Sequence, residues 1–177
     1  MLFRSVGVLE RKKNIKSLTR GLDVLLKKYR HDIDLVLAGK EDKHYPEVKY
    51  KALDIKYRDH LVFTGYVSDE ELSALYRGAH AFVSASLHEG FGLPGVEAMK
   101  YGLPLAVSNL EVFNEVYDNA AIYFNPLDPE DIAEKLHLLA QDVQFHQQLQ
   151  VNSLRRSELF DWKKAAEETI EIYRQVI

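Results

Sequence analysis

Short apolar runs alternate with amphipathic stretches along almost the whole chain, and this alternation narrows the fold more than any other feature. The runs Ser5–Leu9, Ile33–Ala38, Leu61–Thr64, Ala81–Ser84, Leu105–Val107 and Ile122–Phe124 are predicted strands. The stretches between them carry apolar residues at helical spacing. In Ile15–Tyr29, for example, Leu18, Leu22, Leu25, Leu26 and Tyr29 fall on one face. Strands that alternate with helices build a parallel sheet wrapped on both sides. The predicted fold class is therefore α/β, a Rossmann-like doubly wound parallel sheet. Its ligand is expected at the carboxyl ends of the strands.

Local signals set several boundaries. Ser68-Asp-Glu-Glu71 reads as a capping box that opens a helix carrying Leu72, Leu75 and Tyr76, with Gly78 at its end. Asp128-Pro129 reads as a cap followed by proline in the first turn, and the chain is mostly helical from there on. Trp162 and Tyr173 are expected to pack, with Trp162 anchoring the last helix to the body. The polar loop Lys40–Tyr45 follows the second strand, a position where this fold places ligand contacts. No linker rich in Gly, Pro or Ser divides the 177 residues, so one domain is expected. The first strand reads as truncated, because Arg4 and Ser5 stand where a central strand should be apolar. Upstream sequence is expected to be missing. Leu2-Phe-Arg-Ser5 matches what a common sequencing adapter would encode, which marks residues 1–5 as a candidate artefact.

Composition excludes some classes of function. A formal charge of −4 gives no electrostatic reason to expect a nucleic-acid partner or an anionic membrane surface. No apolar run approaches spanning length, so no membrane insertion is expected. The absence of cysteine excludes disulfides and thiolate metal sites, and the lack of a signal-like start favours the cytosol.

The chemistry concentrates in Ser86–Pro104, which follows a strand and opens a helix. Gly90 and Gly92 permit close backbone approach and Pro94 suits the first turn, so the amides of Phe91, Gly92 and Leu93 can face an anion. Glu89 and Glu97 flank this turn, and two acceptor-only carboxylates suit a polyhydroxylated ligand. A Gly-x-Gly turn alone is more often structural than functional; the two glutamates change that balance. Lys12, Lys13 and Lys16 read as a solvated helix start, except that Lys13 follows the first strand. His88 adjoins Glu89, where a packed or hydrogen-bonded histidine is the commoner case. Asp32-Ile-Asp34 superficially resembles an aspartate pair that binds a divalent ion, but no further ligand is apparent and no metal is expected.

Glu89-Gly-Phe-Gly-Leu-Pro-Gly-Val-Glu97-Ala-Met resembles the signature of the family 4 (group 1) retaining glycosyltransferases. Gly7 with Lys13-Asn14, Ala38-Gly39, Phe63–Leu72, Val107–Asn109, Tyr123–Pro126 and Phe160–Trp162 resemble that family's landmarks in its order. The resemblance covers the chain from Gly7, but only the C-terminal half of a GT-B fold. It implies that Glu97 holds the ribose hydroxyls of a nucleoside diphosphate sugar and that Glu89 lies near the donor sugar. It further implies that Lys13 neutralises the leaving diphosphate and that Tyr66 and Val67 line the base. The amides of Gly90, Phe91, Gly92 and Leu93 would contact sugar and diphosphate, and Gly7, Lys12 and His88 complete the expected donor-binding set. Glu89 and Lys13 are the expected catalytic pair. The implied reaction transfers a hexose to an acceptor hydroxyl with retention and without a cofactor. An N-terminal GT-B domain would supply the acceptor, and through it the enzyme would work at the inner face of the membrane. Many members carry arginine after the first-strand glycine, where this chain has Val8. That departure keeps open a non-catalytic sugar-nucleotide-binding module with a vestigial site.

Overall fold

The computed structural model describes Met1–Val176. The elements are β1 (Leu2–Val6), a 3-10 turn (Arg11–Lys13), α1 (Ile15–Tyr29), β2 (Asp34–Ala38), α2 (Glu47–Ala52), β3 (Leu61–Gly65) and α3 (Asp69–Arg77). There follow β4 (Ala81–Ser84), α4 (Leu93–Lys100), β5 (Leu105–Ser108), α5 (Glu111–Tyr117), β6 (Ala121–Phe124), α6 (Pro129–Gln141), α7 (Val143–Ser157) and α8 (Trp162–Val176). Every residue of β4 and β5 is buried, as a sheet covered on both faces requires. All strand pairs are parallel and the order is β3-β2-β1-β4-β5-β6. The chain thus builds outward from β1 to one edge, then crosses back to β4 and builds outward to the other. The crevice between β1 and β4 is the topological switch point, the place where such sheets bind ligands.

Side-chain alternation along the strands feeds two cores. Phe3, Ala81, Val83 and Ala106 join Leu18, Leu22, Leu25, Ile132 and Leu136 beneath α1 and α6. Phe82, Leu105 and Val107 join Tyr76, Val96, Met99, Phe113 and Tyr117 beneath α3, α4 and α5. The capping box is formed: the Glu71 amide donates to Ser68 Oγ and the Ser68 amide to Glu71. Asp128 caps α6, accepting from the amides of Glu130 and Asp131, with Pro129 in the first turn. None of the described helices is long and apolar enough to cross a membrane.

Two expectations are corrected. The first strand is Leu2–Val6 rather than Ser5–Leu9, and it pairs with β2 over its whole length. Gly7, at φ 136°, ends the extended run, so Val8 lies outside it and is exposed. The apolar letters Val6, Val8 and Leu9 shift the reading downstream, because a buried arginine is not what a central strand normally contains. The second correction concerns α8. Trp162 is 76% exposed, Tyr173 is exposed, and no residue of α8 is buried. The helix is amphipathic, but no residue of it is buried by the other described residues.

Arg4 is fully buried, and its Nε and Nη1 have no hydrogen-bond partner among the described residues. The ring of Tyr76 lies against it, with the centroid 5.9 Å from the guanidinium carbon. Burial pulls the Arg4 guanidinium down from its ordinary range to about 10, so the cost of its charge is felt at every pH below that value. Replacing Arg4 with methionine keeps an unbranched stem and removes the orphaned donors. Arg4→Met should therefore stabilise the fold by about 1–3 kcal/mol, which raises the melting temperature by roughly 2–10 °C. A lowered melting temperature would show that the guanidinium is satisfied in solution.

Candidate functional site

The turn after β1 and the loop after β4 meet at the switch point. Lys13 closes the 3-10 turn, and its Nζ donates to Glu89 Oε1 at 2.6 Å, with both side chains mostly buried. Ser86 Oγ donates to the same carboxylate oxygen at 2.8 Å, and Ser84 Oγ lies 3.1 Å from Ser86 Oγ. The two loops are also joined through the backbone, where the Leu87 amide donates to the Lys12 carbonyl at 2.8 Å. One oxygen of Glu89 is thereby held by two donors. Among the described residues, nothing donates to the other.

Glu89 leads into the turn that opens α4. Gly92 caps this helix at φ 96°, a conformation costly for any other residue. A Cβ at Gly92 would also lie 2.1 Å from Tyr117 Oη, which donates to the Gly92 carbonyl at 2.6 Å. A Cβ at Gly90, in contrast, would meet nothing within 4 Å. Gly92 is thus needed by the fold, whereas the space beside Gly90 is left open by the described residues. Among the described residues, the amides of Gly90, Phe91, Gly92 and Leu93 donate to no backbone carbonyl. They crowd the start of a helix, whose dipole favours negative charge. Phe91 and Leu93 are exposed, and Phe91 packs edge-on against Phe160.

Glu97, one turn into α4, is exposed and accepts from Tyr76 Oη at 3.1 Å through Oε2. On the other side of Lys13, three strand ends lie against one another. The Gly7 amide donates to the Ala38 carbonyl and the Gly39 amide to the Gly65 carbonyl, each at 2.9 Å. Tyr66 follows Gly65, is 70% exposed, and lies under Lys40, whose Nζ is 4.6 Å from its ring centroid. Val67 is half-buried ahead of the Ser68 cap.

The structure therefore brings together Gly7, Lys13 and Glu89, with Gly90 to Leu93 following directly on Glu89. It keeps Lys12 out of that pair, exposed and 3.4 Å from Glu10. His88 is exposed beside the pair. Arg11 is engaged elsewhere, donating to Glu47 and covering the ring of Tyr45. Asp34 lies 3.0 Å from His60 and takes no part in this crevice. Sequence reasoning singled out the segments that hold Ser86 and Lys40, but not the hydrogen bond of Ser86 to Glu89, the seat of Lys40 over Tyr66 or the contact of Tyr76 with Glu97. Ser86 lies three residues before Glu89, a local spacing that gives some signal. The other two contacts join segments remote in sequence and give none. Asn14, beside Lys13, is structural: its side chain donates to the Pro126 carbonyl at 2.7 Å.

Comparison with known proteins bears on the family and the fold. The profile of the family described as Glycosyl transferases group 1 matches residues 2–156. The serotype-specific mannosyltransferase WbdA of Escherichia coli is 34% identical over 98% of this chain, which spans 22% of that protein. The O-antigen chain mannosyltransferase B of the same species is 31% identical over 96% of this chain and 44% of its own length. Among solved structures, Anabaena HepE in complex with UDP and glucose superposes on 98% of this chain and 48% of its own, with a TM-score of 0.86 at 17% identity. Sucrose-phosphate synthase from Thermosynechococcus elongatus superposes with a TM-score of 0.83 at 24% identity, over 99% of this chain and 45% of its own. The chain has the Rossmann-like fold of one half of a GT-B enzyme and spans less than half the length of these relatives. By the reach of the family profile and the identity of these relatives, it belongs to the group 1 glycosyltransferases.

Proposed function

We propose that the chain binds the nucleoside diphosphate sugar of a retaining hexosyltransferase. The Lys13–Glu89 pair at the switch point, beside amides opening α4 that donate to no backbone carbonyl among the described residues, carries this reading. A diphosphate placed there would be neutralised by Lys13 and by the α4 amides, which take the charge as it develops on the leaving group. The unheld oxygens of Glu89 and Glu97 would accept from the sugar and the ribose respectively. Tyr66 would stack on the base with Lys40 at its edge. Departure of the leaving group and attack of the acceptor on the same face give retention, and binding and orientation supply most of the catalysis. Charge neutralisation by Lys13 and the amides leaves no task for a metal, so transfer should persist in a chelator. Relatives that are mannosyltransferases make mannose the first sugar to test.

The acceptor would come from a second α/β domain. Coverage of under half of the relatives supports this, as does the apolar face of α8, where Trp162, Tyr173 and Val176 are exposed. The test is to incubate the chain with GDP-, UDP- and ADP-sugars and a broad acceptor set, alone and fused to the N-terminal half of a close relative. Transfer only by the fusion is expected. Robust transfer by the chain alone would overturn the two-domain reading. Donor binding without transfer by the fusion would favour a vestigial site, the reading that Val8 suggests.

A further inference from the structure

We infer that Tyr76 is the positioning residue of Glu97, holding one carboxylate oxygen so that the other is presented to the ribose hydroxyls. The inference rests on the assignment of Glu97 to the ribose. Tyr76 lies near the end of α3, 2% exposed, with its ring stacked on Tyr101 at a centroid distance of 5.2 Å. Its hydroxyl faces the first turns of α4. It lies 3.1 Å from Glu97 Oε2 and 3.3 Å from the Pro94 carbonyl, so the proton is directed at the carboxylate and the first turn of α4 together. Burial and the nearby Glu97 charge push the Tyr76 phenol far above its ordinary range, so it remains a donor throughout the physiological range. Arg4, beneath the ring, opposes that shift without forming a hydrogen bond.

The physical effect is pre-organisation. Glu97 is exposed, and a solvated glutamate samples many rotamers that must be given up when a ligand binds. A buried donor fixed by packing removes much of that loss in advance and aims the carboxylate. A ring present only for packing would need no hydroxyl here, since phenylalanine fills nearly the same volume.

The test compares the tightest binder among GDP, UDP and ADP with its 2′-deoxy and 3′-deoxy counterparts, by calorimetry on the wild-type chain, Tyr76→Phe, Glu97→Ala and the double variant. The wild type should prefer the ribonucleotide by about tenfold, the low end of the loss expected for one hydrogen bond to an exposed charged group. Tyr76→Phe should reduce that preference to about twofold, with the deoxy affinities and the melting temperature nearly unchanged. Adding Tyr76→Phe to Glu97→Ala should change nothing further, because the hydroxyl then has no carboxylate to hold. A merely structural role would lower all affinities together and leave the ratio intact. A wild-type preference that Tyr76→Phe retains would overturn the inference alone. A wild-type chain without any preference would overturn the ribose assignment of Glu97, and the inference with it.

Discussion

Lys13→Ala should weaken binding of a nucleoside diphosphate by about 10- to 100-fold, the range set by losing one hydrogen bond to a charged group, while binding of the bare nucleoside changes little. Lys13 is the cation seated at the switch point, since Arg11 is held by Glu47, Lys12 lies beside Glu10, and Val8 carries no charge. Its stem packs over Gly7, where a Cβ would lie 3.2 Å from Lys13 Cε. The ammonium is therefore already in place before a ligand arrives. Removing it also leaves Glu89 without its charged partner, although Ser86 still donates. Lys13→Ala combined with Glu89→Gln separates the two effects. The double variant should regain stability lost in the single one, yet still bind diphosphate weakly. Titration with diphosphate and nucleoside checks this, and equal losses for both ligands would return Lys13 to the role of a solvated turn residue.

Gly39→Ala should destabilise the fold by about 2–6 kcal/mol, combining left-handed strain with overpacking. Gly39 has φ 147°, and a Cβ there would lie 2.0 Å from the Gly7 carbonyl oxygen. That neighbour is backbone at the end of the central strand and cannot rotate away. At roughly 2–4 °C per kcal/mol for a domain of this size, the melting temperature should fall by about 5–20 °C. Because Gly7 also supports Lys13, diphosphate affinity should fall in whatever fraction remains folded. Gly90→Ala is the informative contrast. Its methyl would meet no protein atom within 4 Å, so stability should stay within about 0.5 kcal/mol of wild type, and only a ligand would register the change. A Gly39→Ala chain that melts normally would mean that the ends of β1 and β2 are not locked as described.

Much of this architecture was legible in the residues. The α1 helix runs over Ile15–Tyr29 and β4 over Ala81–Ser84 as the periodicity predicts, because long amphipathic patterns and short apolar runs report burial directly. The Ser68 and Asp128 caps followed from local chemistry. β1 did not, because Arg4 sits where burial should exclude it and only the pairing with β2 and β4 reveals the strand. Trp162 shows the same limit from the other side. Its apolar face was readable, but which surface covers that face is not encoded in the pattern. At the candidate site, Glu89 and Glu97 were visible through their spacing around a glycine turn. Lys13 was singled out by its place after β1, but its 2.6 Å contact spans 76 residues. Tyr76 read as one more apolar position of α3, since nothing local marks a hydroxyl destined for another helix.

Amide resonances would report whether a nucleoside diphosphate sits between Lys13 and the start of α4. The chain, labelled with nitrogen-15, would be titrated with GDP-, UDP- and ADP-sugars. The expected result is saturable shifts, for at least one donor, in the amides of Gly90, Phe91, Gly92 and Leu93, which donate to no backbone carbonyl among the described residues, together with Gly7 and Gly39. These shifts should weaken in Lys13→Ala. Saturable binding that leaves these amides unmoved, or no binding of any of the three donors, would contradict the account.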